Sequence, residues 1–537
     1  MVCTHLPATK SSFALNGHAG LVLAGALVAG CASMPGAHYP RAPSLALARP
    51  EDTALGARFE AAARSHDGNS GFRILTAGVE GFLTRVQMID SAQKTLDLQY
   101  FIFRGDETGR LLTDALVRAA DRGVRVRVLV DDGDTVPGDE QIVALDAHPS
   151  VEVRIFNPFA YRGHMRAIRG MEFFFNASRL DYRMHNKLLV VDNSVALVGG
   201  RNIGNQYFQM DPRSQFADDD VFTAGPIARQ LSTTFDEYWN SRFAIPVKAL
   251  QGSAIKTNDL AQHRVAGRRR QEMRPLESPG QDYVAQIATG EPYAGMVSGR
   301  LPLIWAPAAV ICDSPDKHKV ASSAVAGRLM ERSVAAAARG VKSELLMVTP
   351  YFVPSADEMQ LLLDLRARHV TVRILTNSLQ SAPELVAQSG YMKFRVPLLM
   401  QGVELHEARS FLGNMHGSGQ TKHISSYGNY ALHAKIIVFD RDKVFMGSMN
   451  FDQRSRRLNT EVGLIIDSPE LALQSALRFQ GMVQPENAYG VELRDKHLLW
   501  KSREDGKDVE YDREPARNEG QRLEVKFLSY LPLDREL

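Results

Sequence analysis

Two stretches of the chain carry one pattern of polar residues at one spacing: "MHNKLLVVDNSVALVGGRN" (184–202) and "LHAKIIVFDRDKVFMGSMN" (432–450). Each reads His-x-Lys, an Asp after four further residues, a Gly after six more and an Asn after two. These are His185, Lys187, Asp192, Gly199 and Asn202, then His433, Lys435, Asp440, Gly447 and Asn450. The histidines are 248 residues apart (433 − 185), and a second landmark, Tyr100-Phe101 against Tyr351-Phe352, is displaced by 251 (351 − 100). Distant landmarks moved by nearly the same amount mean a duplicated domain, an internal repeat far larger than any solenoid period.

A length of 537 residues agrees, being too long for one core and ordinary for two. In the first half "TLDLQYFIF" (95–103) alternates like a strand, "TGRLLTDALVRAADRG" (108–123) has helical spacing, and "VRVRVLVDD" (124–132) is a strand again. The second half repeats the order in "ELLMVTPYFVP" (344–354), "ADEMQLLLDLRARH" (356–369) and "VTVRILTN" (370–377). The expected class is therefore α/β, with a first domain over 75–244, a connector over 245–300, a second domain over 301–490 and a C-terminal extension over 491–537. The connector's basic run "HRVAGRRRQEMR" (263–274) reads as a solvated loop rather than a lipid-docking patch.

Each repeated stretch predicts an antiparallel hairpin, turning at Asn193-Ser194 and at Arg441-Asp442. That register sets His185 opposite Asn202 and Lys187 opposite Gly200, then His433 opposite Asn450 and Lys435 opposite Ser448. Side chains two apart on a strand share a face, so imidazole and ammonium project together beside the amide. A glycine across from the lysine lets an oxygen-rich group approach the backbone. Such a set binds a phosphate and can attack it. Displacement at phosphorus through a covalent intermediate uses two histidines, one as nucleophile and one as proton donor, and duplication supplies both. Asp192 and Asp440 close their strands at turns, where a carboxylate bonds backbone N–H groups, so their expected role is structural.

The pattern H-x-K-x4-D-x6-G-x2-N, present twice, resembles the signature of the phospholipase D superfamily. Beyond the motifs, "RMHNKLLVVDNSVALVGGRNIGNQYF" (183–208), "TNSLQSAPELVAQSGYMKFRVPLLMQGVELHE" (376–407) and "LSYLPLDREL" (528–537) are similar to the bacterial cardiolipin synthase C group. The chain departs from that group's pattern at Pro383 and Gln388, which bears on substrate choice and not on the histidine chemistry. The resemblance implies two pseudo-twofold-related phospholipase D-like domains, each a mixed sheet flanked by helices. It also implies catalysis by His185, Lys187, Asn202, His433, Lys435 and Asn450. A histidine nucleophile uses a carboxylate on its second nitrogen. By the superfamily's placement of an acid, that role falls to Asp220 in "FADDDVF" and Glu461 in "LNTEVGLII", with Asp218 and Asp219 as near neighbours. Gly199 and Gly447 are structural. No metal or other cofactor is expected, since two lysines and two amides can neutralise a phosphodiester.

The implied reaction makes cardiolipin from two phospholipids through a phosphatidyl-histidine, with His185 as nucleophile. A phospholipase D hydrolase releasing phosphatidic acid is the near alternative. A nuclease is disfavoured by a net charge of only +2. The N-terminus adds a membrane. "GLVLAGALVAGCAS" is too short to span a bilayer and is built like a signal-peptide core, and "VAGC" resembles a bacterial lipobox. Residues 1–30 are then a signal peptide, Cys31 is lipidated and 31–74 form a membrane-proximal spacer. Ala32 directs the anchor to the periplasmic side of the outer membrane. The expected partners are phospholipid substrates and that membrane, with no nucleic acid; the oligomeric state is left open.

Overall fold

The computed structural model describes residues 41–133, 144–161, 166–211, 214–250, 292–317, 329–410 and 430–531. The proposed signal segment, Cys31 and the basic run 263–274 lie outside them. Among the described residues no helix is long and apolar enough to cross a membrane.

Duplication is visible in the strand order. The first sheet runs Ala244–Pro246, Val151–Phe156, Arg125–Asp131, Thr95–Tyr100, Lys187–Val191, Val195–Gly199, Asp220–Ala224 and Ser70–Leu75. The second repeats those eight places as Ala488–Arg494, Glu404–Ala408, Thr371–Asn377, Glu344–Val348, Ile436–Phe439, Lys443–Gly447, Val462–Asp467 and Ala308–Cys312. Strand Ile304–Ala306 edges the first sheet and His497–Glu504 with Lys507–Tyr511 extend the second. Ile304–Ala306 thus serves the first half, although its residues follow the expected boundary at 301.

Both sheets are mixed, and strands such as "KLLVV" are buried on both faces, which explains their unbroken apolar runs. The outer face of the first sheet is covered by helices Gly78–Ser91 and Glu107–Asp121, and that of the second by Leu329–Arg339 and Ala356–Ala367. Between the sheets lie helices Pro226–Trp239 and Pro469–Met482. Their Phe235, Trp239, Phe479 and Met482 share one core with Leu188 and Val190 of the first half and Ile436 and Val438 of the second. The halves are welded by a common apolar layer.

Three expectations change. The stretch 41–74 is not wholly a spacer. Thr53 caps helix Ala54–Arg64, whose Leu55 and Phe59, four apart, enter the first core, and Ser70 opens a sheet strand. The Tyr100–Tyr351 landmark is two residues out of step. Leu96 faces Val191 as Leu345 faces Phe439, and Phe103 bridges Ile203 as Phe352 bridges Phe451, giving an offset of 249 (352 − 103). The true repeat is thus tighter than 251 suggested.

Hairpin register also shifts by one. Val191 pairs with Val195 and Phe439 with Lys443, so each loop has three residues, 192–194 and 440–442. Asp192 and Asn193 both take positive φ (49° and 51°), as do Asp440 and Arg441 (53° and 56°). This turn lets the Asp192 carboxylate reach the backbone N–H groups of Gln93, Lys94 and Thr95 at 2.8–2.9 Å. Asp440 likewise accepts from Lys342, Ser343 and Glu344. Continued to its end, the observed register sets Lys187 against Gly199, not Gly200, and His185 no longer faces Asn202.

Candidate active site

The approach to each histidine is a short strand paired with the opposite half. Arg183–Met184 runs parallel to Asn459–Thr460, and Tyr430–Leu432 runs parallel to Gln215–Ala217. The pairing continues into the site, where His185 N–H donates to Thr460 O at 2.9 Å and His433 N–H to Ala217 O at 2.7 Å. The next residues on the borrowed strands are Glu461 and Asp218. Each carboxylate is thereby delivered to the other half's histidine.

His185 Nδ1 lies 2.9 Å from Glu461 Oε2 and 3.1 Å from Oε1, and His433 Nδ1 lies 2.5 Å from Asp218 Oδ2. A carboxylate only accepts, so Nδ1 carries the proton in both rings and Nε2 is left as the reactive nitrogen. The expected orienting pair was Asp220 and Glu461, and Asp220 is corrected. Its Oδ2 takes Nη1 of Arg85 at 2.9 Å and Nη1 of Arg201 at 3.0 Å, and it meets neither histidine. Asp219 pairs with Arg478 of the second half. Three consecutive aspartates thus serve three different partners. The register explains the choice: Gly199 faces Asp220 where Gly447 faces Gly463, so the equivalent of Glu461, two residues before Gly463, is Asp218. An apolar run beginning at Val462 in one half and Val221 in the other hides that alignment in the sequence.

Gly200 and Ser448, expected across from the lysines, instead shape the carboxylates, together with Ser455, which the sequence did not mark. Gly200 leaves room for Asp218. At the matching place Ser448 donates Oγ to Glu461 Oε2 at 2.5 Å, and Ser455 Oγ donates to Oε1 at 2.7 Å. The longer acid is held by two hydroxyls and the shorter by close packing. Gly199 and Gly447 fit against the neighbouring strand, where a Cβ would come within 2.6 Å of Asp220 Cα and of Gly463 Cα respectively.

Lys187 and Lys435 are buried, and each ammonium donates to the carbonyl of its own motif's histidine. Lys435 Nζ also lies 3.0 Å from His433 Nδ1. Burial pulls the Lys435 ammonium down to about 8 and holds Lys187 well below the usual lysine range. Burial, then the adjacent lysine, depresses both imidazoles, His433 to about 3 and His185 well below its ordinary value. His185 feels Lys435 and His433 feels Lys187, so the four groups share one field across the two halves. Two buried cations beside two neutral imidazoles favour an anion between them.

Asn202 is tied in place, with Oδ1 accepting from Ile102 N–H at 3.2 Å and Nδ2 donating to Tyr207 OH at 2.9 Å. Asn450 is buried with its side-chain oxygen unpartnered. Aromatic walls complete the site. Phe101 stands edge-on to His185 at 5.0 Å between centroids, and Tyr207 and Phe216 each stand 5.2 Å from His433. No spacing rule in the sequence marks these three rings.

The family model described as "Cardiolipin synthase, PLD-like domain" matches residues 86–239 and 334–483, one match per half. Cardiolipin synthase C of Escherichia coli (strain K12) is 34% identical over 486 residues, covering 87% of this chain and 96% of its own. The major cardiolipin synthase of Bacillus subtilis (strain 168) is 26% identical over 433 residues, covering 80% and 72%. Among solved structures, a phosphatidylserine synthase of Haemophilus influenzae Rd KW20 superposes with a TM-score of 0.51. It does so at 14% identity, over 80% of this chain and 91% of its own. That likeness concerns the fold.

Proposed function

This chain belongs to the cardiolipin synthase family of phospholipase D-like proteins, and from that membership we propose that it is a phosphatidyltransferase joining two phospholipids into cardiolipin. The observation that carries the chemistry is the pair of imidazoles, each held at Nδ1 by a carboxylate of the opposite half, with two buried ammonium groups beside them.

In this reading the phosphodiester of a donor phospholipid settles between Lys187 and Lys435. Its negative charge offsets theirs and raises the basicity of the rings, so that His433 takes up a proton at Nε2 from solvent as substrate binds while His185 stays neutral. Nε2 of His185 attacks phosphorus while Glu461 stabilises the positive charge that grows on the ring. The P–O bond to the headgroup breaks, and that oxygen takes the proton of the His433 imidazolium, leaving a free alcohol and a phosphatidyl-histidine. His433, now neutral, removes a proton from the hydroxyl of a second lipid's glycerol headgroup. That oxygen displaces His185 from phosphorus, forming cardiolipin and restoring both rings. Asp218 holds His433 in one orientation through both proton transfers. Water in place of the acceptor gives phosphatidic acid instead.

A lipid anchor at Cys31 fits this reading, because a substrate with two acyl chains stays in the bilayer. The anchor would tether the enzyme to the periplasmic face of the outer membrane. The deciding experiment is mass spectrometry of lipids after incubating the purified protein with phosphatidylglycerol, with and without phosphatidylethanolamine. Cardiolipin is expected, and its loss in His185→Asn and His433→Asn. Phosphatidic acid as the sole product would make the enzyme a hydrolase, and untouched lipid would overturn the reading.

A further inference from the structure

Among the described residues, Lys317 is the most deeply buried lysine that the chemistry above does not use. Its side chain is 1% exposed and its partner Asp313 is fully buried. All three ammonium protons are spent at 2.7 Å, on Asp313 Oδ2, Ser455 O and Asn459 O. The two carbonyls flank the C-terminal end of the short helix Gln453–Arg457, where backbone acceptors lack intrahelical partners. Asp313 completes the clasp, its N–H donating to Glu461 O at 3.0 Å and its carboxylate accepting from Glu461 N–H at 3.3 Å.

The gripped segment begins at Ser455, whose hydroxyl bonds Glu461, and ends beside Thr460, whose carbonyl receives His185 N–H. Burying an ion pair seldom stabilises more than an apolar plug of the same volume, so stability alone is a weak reason for one here. It does supply fixed directions. On the other side Arg201 does comparable work with different groups, bonding Asp218 O, Thr76 O and Asp220. Asp313 and Lys317 both lie outside 86–239 and 334–483, the segments that match the family model.

We propose that Lys317, paired with Asp313, is a positioning residue that holds the Ser455–Glu461 segment and thereby fixes the carboxylate on His185. The proposal rests on the functional reading above only for its kinetic consequence. The charged groups facing Glu461 are His185, Lys187, Lys435, Lys317, Asp313 and Asp452. Burial raises the Glu461 carboxyl, and Lys317 is among the cations that oppose the rise.

The test uses the full-length protein with Lys317→Arg, Lys317→Met, and Lys317→Met combined with Asp313→Asn so that no lone charge is buried. Each is measured for thermal stability, for phosphatidyl transfer from phosphatidylglycerol in mixed micelles across pH, and for the downfield Nδ1 proton resonance that His185→Asn removes. In a folded double variant kcat is expected to fall by up to about 100-fold, the loss that a displaced group produces, with KM little changed. In Lys317→Met alone, where Asp313 keeps its carboxylate, the acid limb of the profile moves to higher pH, because Glu461 loses a cation that opposes its protonation. The His185 proton signal weakens, Lys317→Arg recovers part of the rate, and adding Glu461→Gln brings no further loss. An unchanged rate, pH limb and proton resonance in a folded variant overturn the proposal, as does a loss that multiplies with Glu461→Gln. If the wild type turns over no phospholipid, the functional reading fails, while the His185 resonance still decides for or against Lys317.

Discussion

Gly200 lies so close beneath Asp218 that a Cβ there would fall 2.1 Å from the carboxylate Oδ1. The neighbour it would strike is the acid that sets His433, so the smallest possible enlargement bears directly on the reactive ring. Gly200→Ala is expected to push Asp218 off Nδ1 and reduce kcat by about 100-fold, the scale of a displacement near 1 Å. KM should change little, because both lysines stay in place. Steady-state kinetics on phosphatidylglycerol, with a melting curve to show the variant is folded, checks this.

Asp218 and Asp220 are expected to fail in different ways. Asp218→Asn keeps the shape but loses the charge that stabilises the His433 imidazolium, so activity should drop by about 10²- to 10⁴-fold with stability nearly intact. Asp220→Asn strands two buried guanidinium groups, Arg85 and Arg201. Breaking such a buried pair costs about 3–5 kcal/mol, so the expected result is a lowered melting temperature and poor yield. Thermal melts and specific activity measured together separate the two. An Asp220 variant of wild-type stability would contradict the ion-pair assignment.

What the sequence made legible was the repeat and the groups that touch a phosphodiester. Both follow from fixed spacing within one strand-turn-strand, and each motif holds its own register. What stayed hidden was everything decided between the halves. Asp218 could not be chosen over Asp220 because the deciding contact is the pairing of Gln215–Ala217 with Tyr430–Leu432, more than two hundred residues away. The three-residue turn was missed for a local reason: Asp192 takes a positive φ so that its carboxylate can serve three N–H groups of another loop. Lys317 had no signal of its own, being one cation among 63 basic residues until its burial is known.

The lysine pair predicts an anion effect on stability. Inorganic tungstate or phosphate bound between Lys187 and Lys435 offsets two buried charges, and a ligand that binds only the folded state stabilises it by mass action, about 2.7 kcal/mol at 100 times its Kd. A rise in melting temperature with tungstate is expected for the wild type. It should be absent in the double variant Lys187→Met, Lys435→Met. The same shift in both proteins would place the anion elsewhere.

The depressed ring of His433 makes an acid-side prediction. Its value is about 3 in the folded chain against 6.5 unfolded, so between those limits the unfolded chain binds the extra proton. Stability contributed by this neutral, buried ring is therefore complete above pH 6.5 and is lost as pH falls toward 3. His433→Asn, which does not titrate, should flatten that part of the stability–pH curve. Urea melts at pH 4.5 and pH 7.5 test it, and an equal loss in both proteins would rule His433 out as a source.

Asp192 is in the motif yet should matter little to the chemistry. It is fully buried and its two oxygens accept three backbone N–H groups, from Gln93, Lys94 and Thr95, which lead into the strand beside the hairpin. Asp192→Ala removes the acceptor of all three, and of these the Thr95 N–H is buried, where a donor left unpaired costs about 1–3 kcal/mol, whereas Gln93 and Lys94 are exposed. The expected outcome is a destabilised protein whose remaining folded fraction turns over lipid within a few-fold of wild type. Asp192→Asn, which keeps one acceptor oxygen, should fall between. Active-site titration of folded enzyme alongside chemical denaturation is the measurement, and a variant that is stable but inactive would move Asp192 into the reacting set.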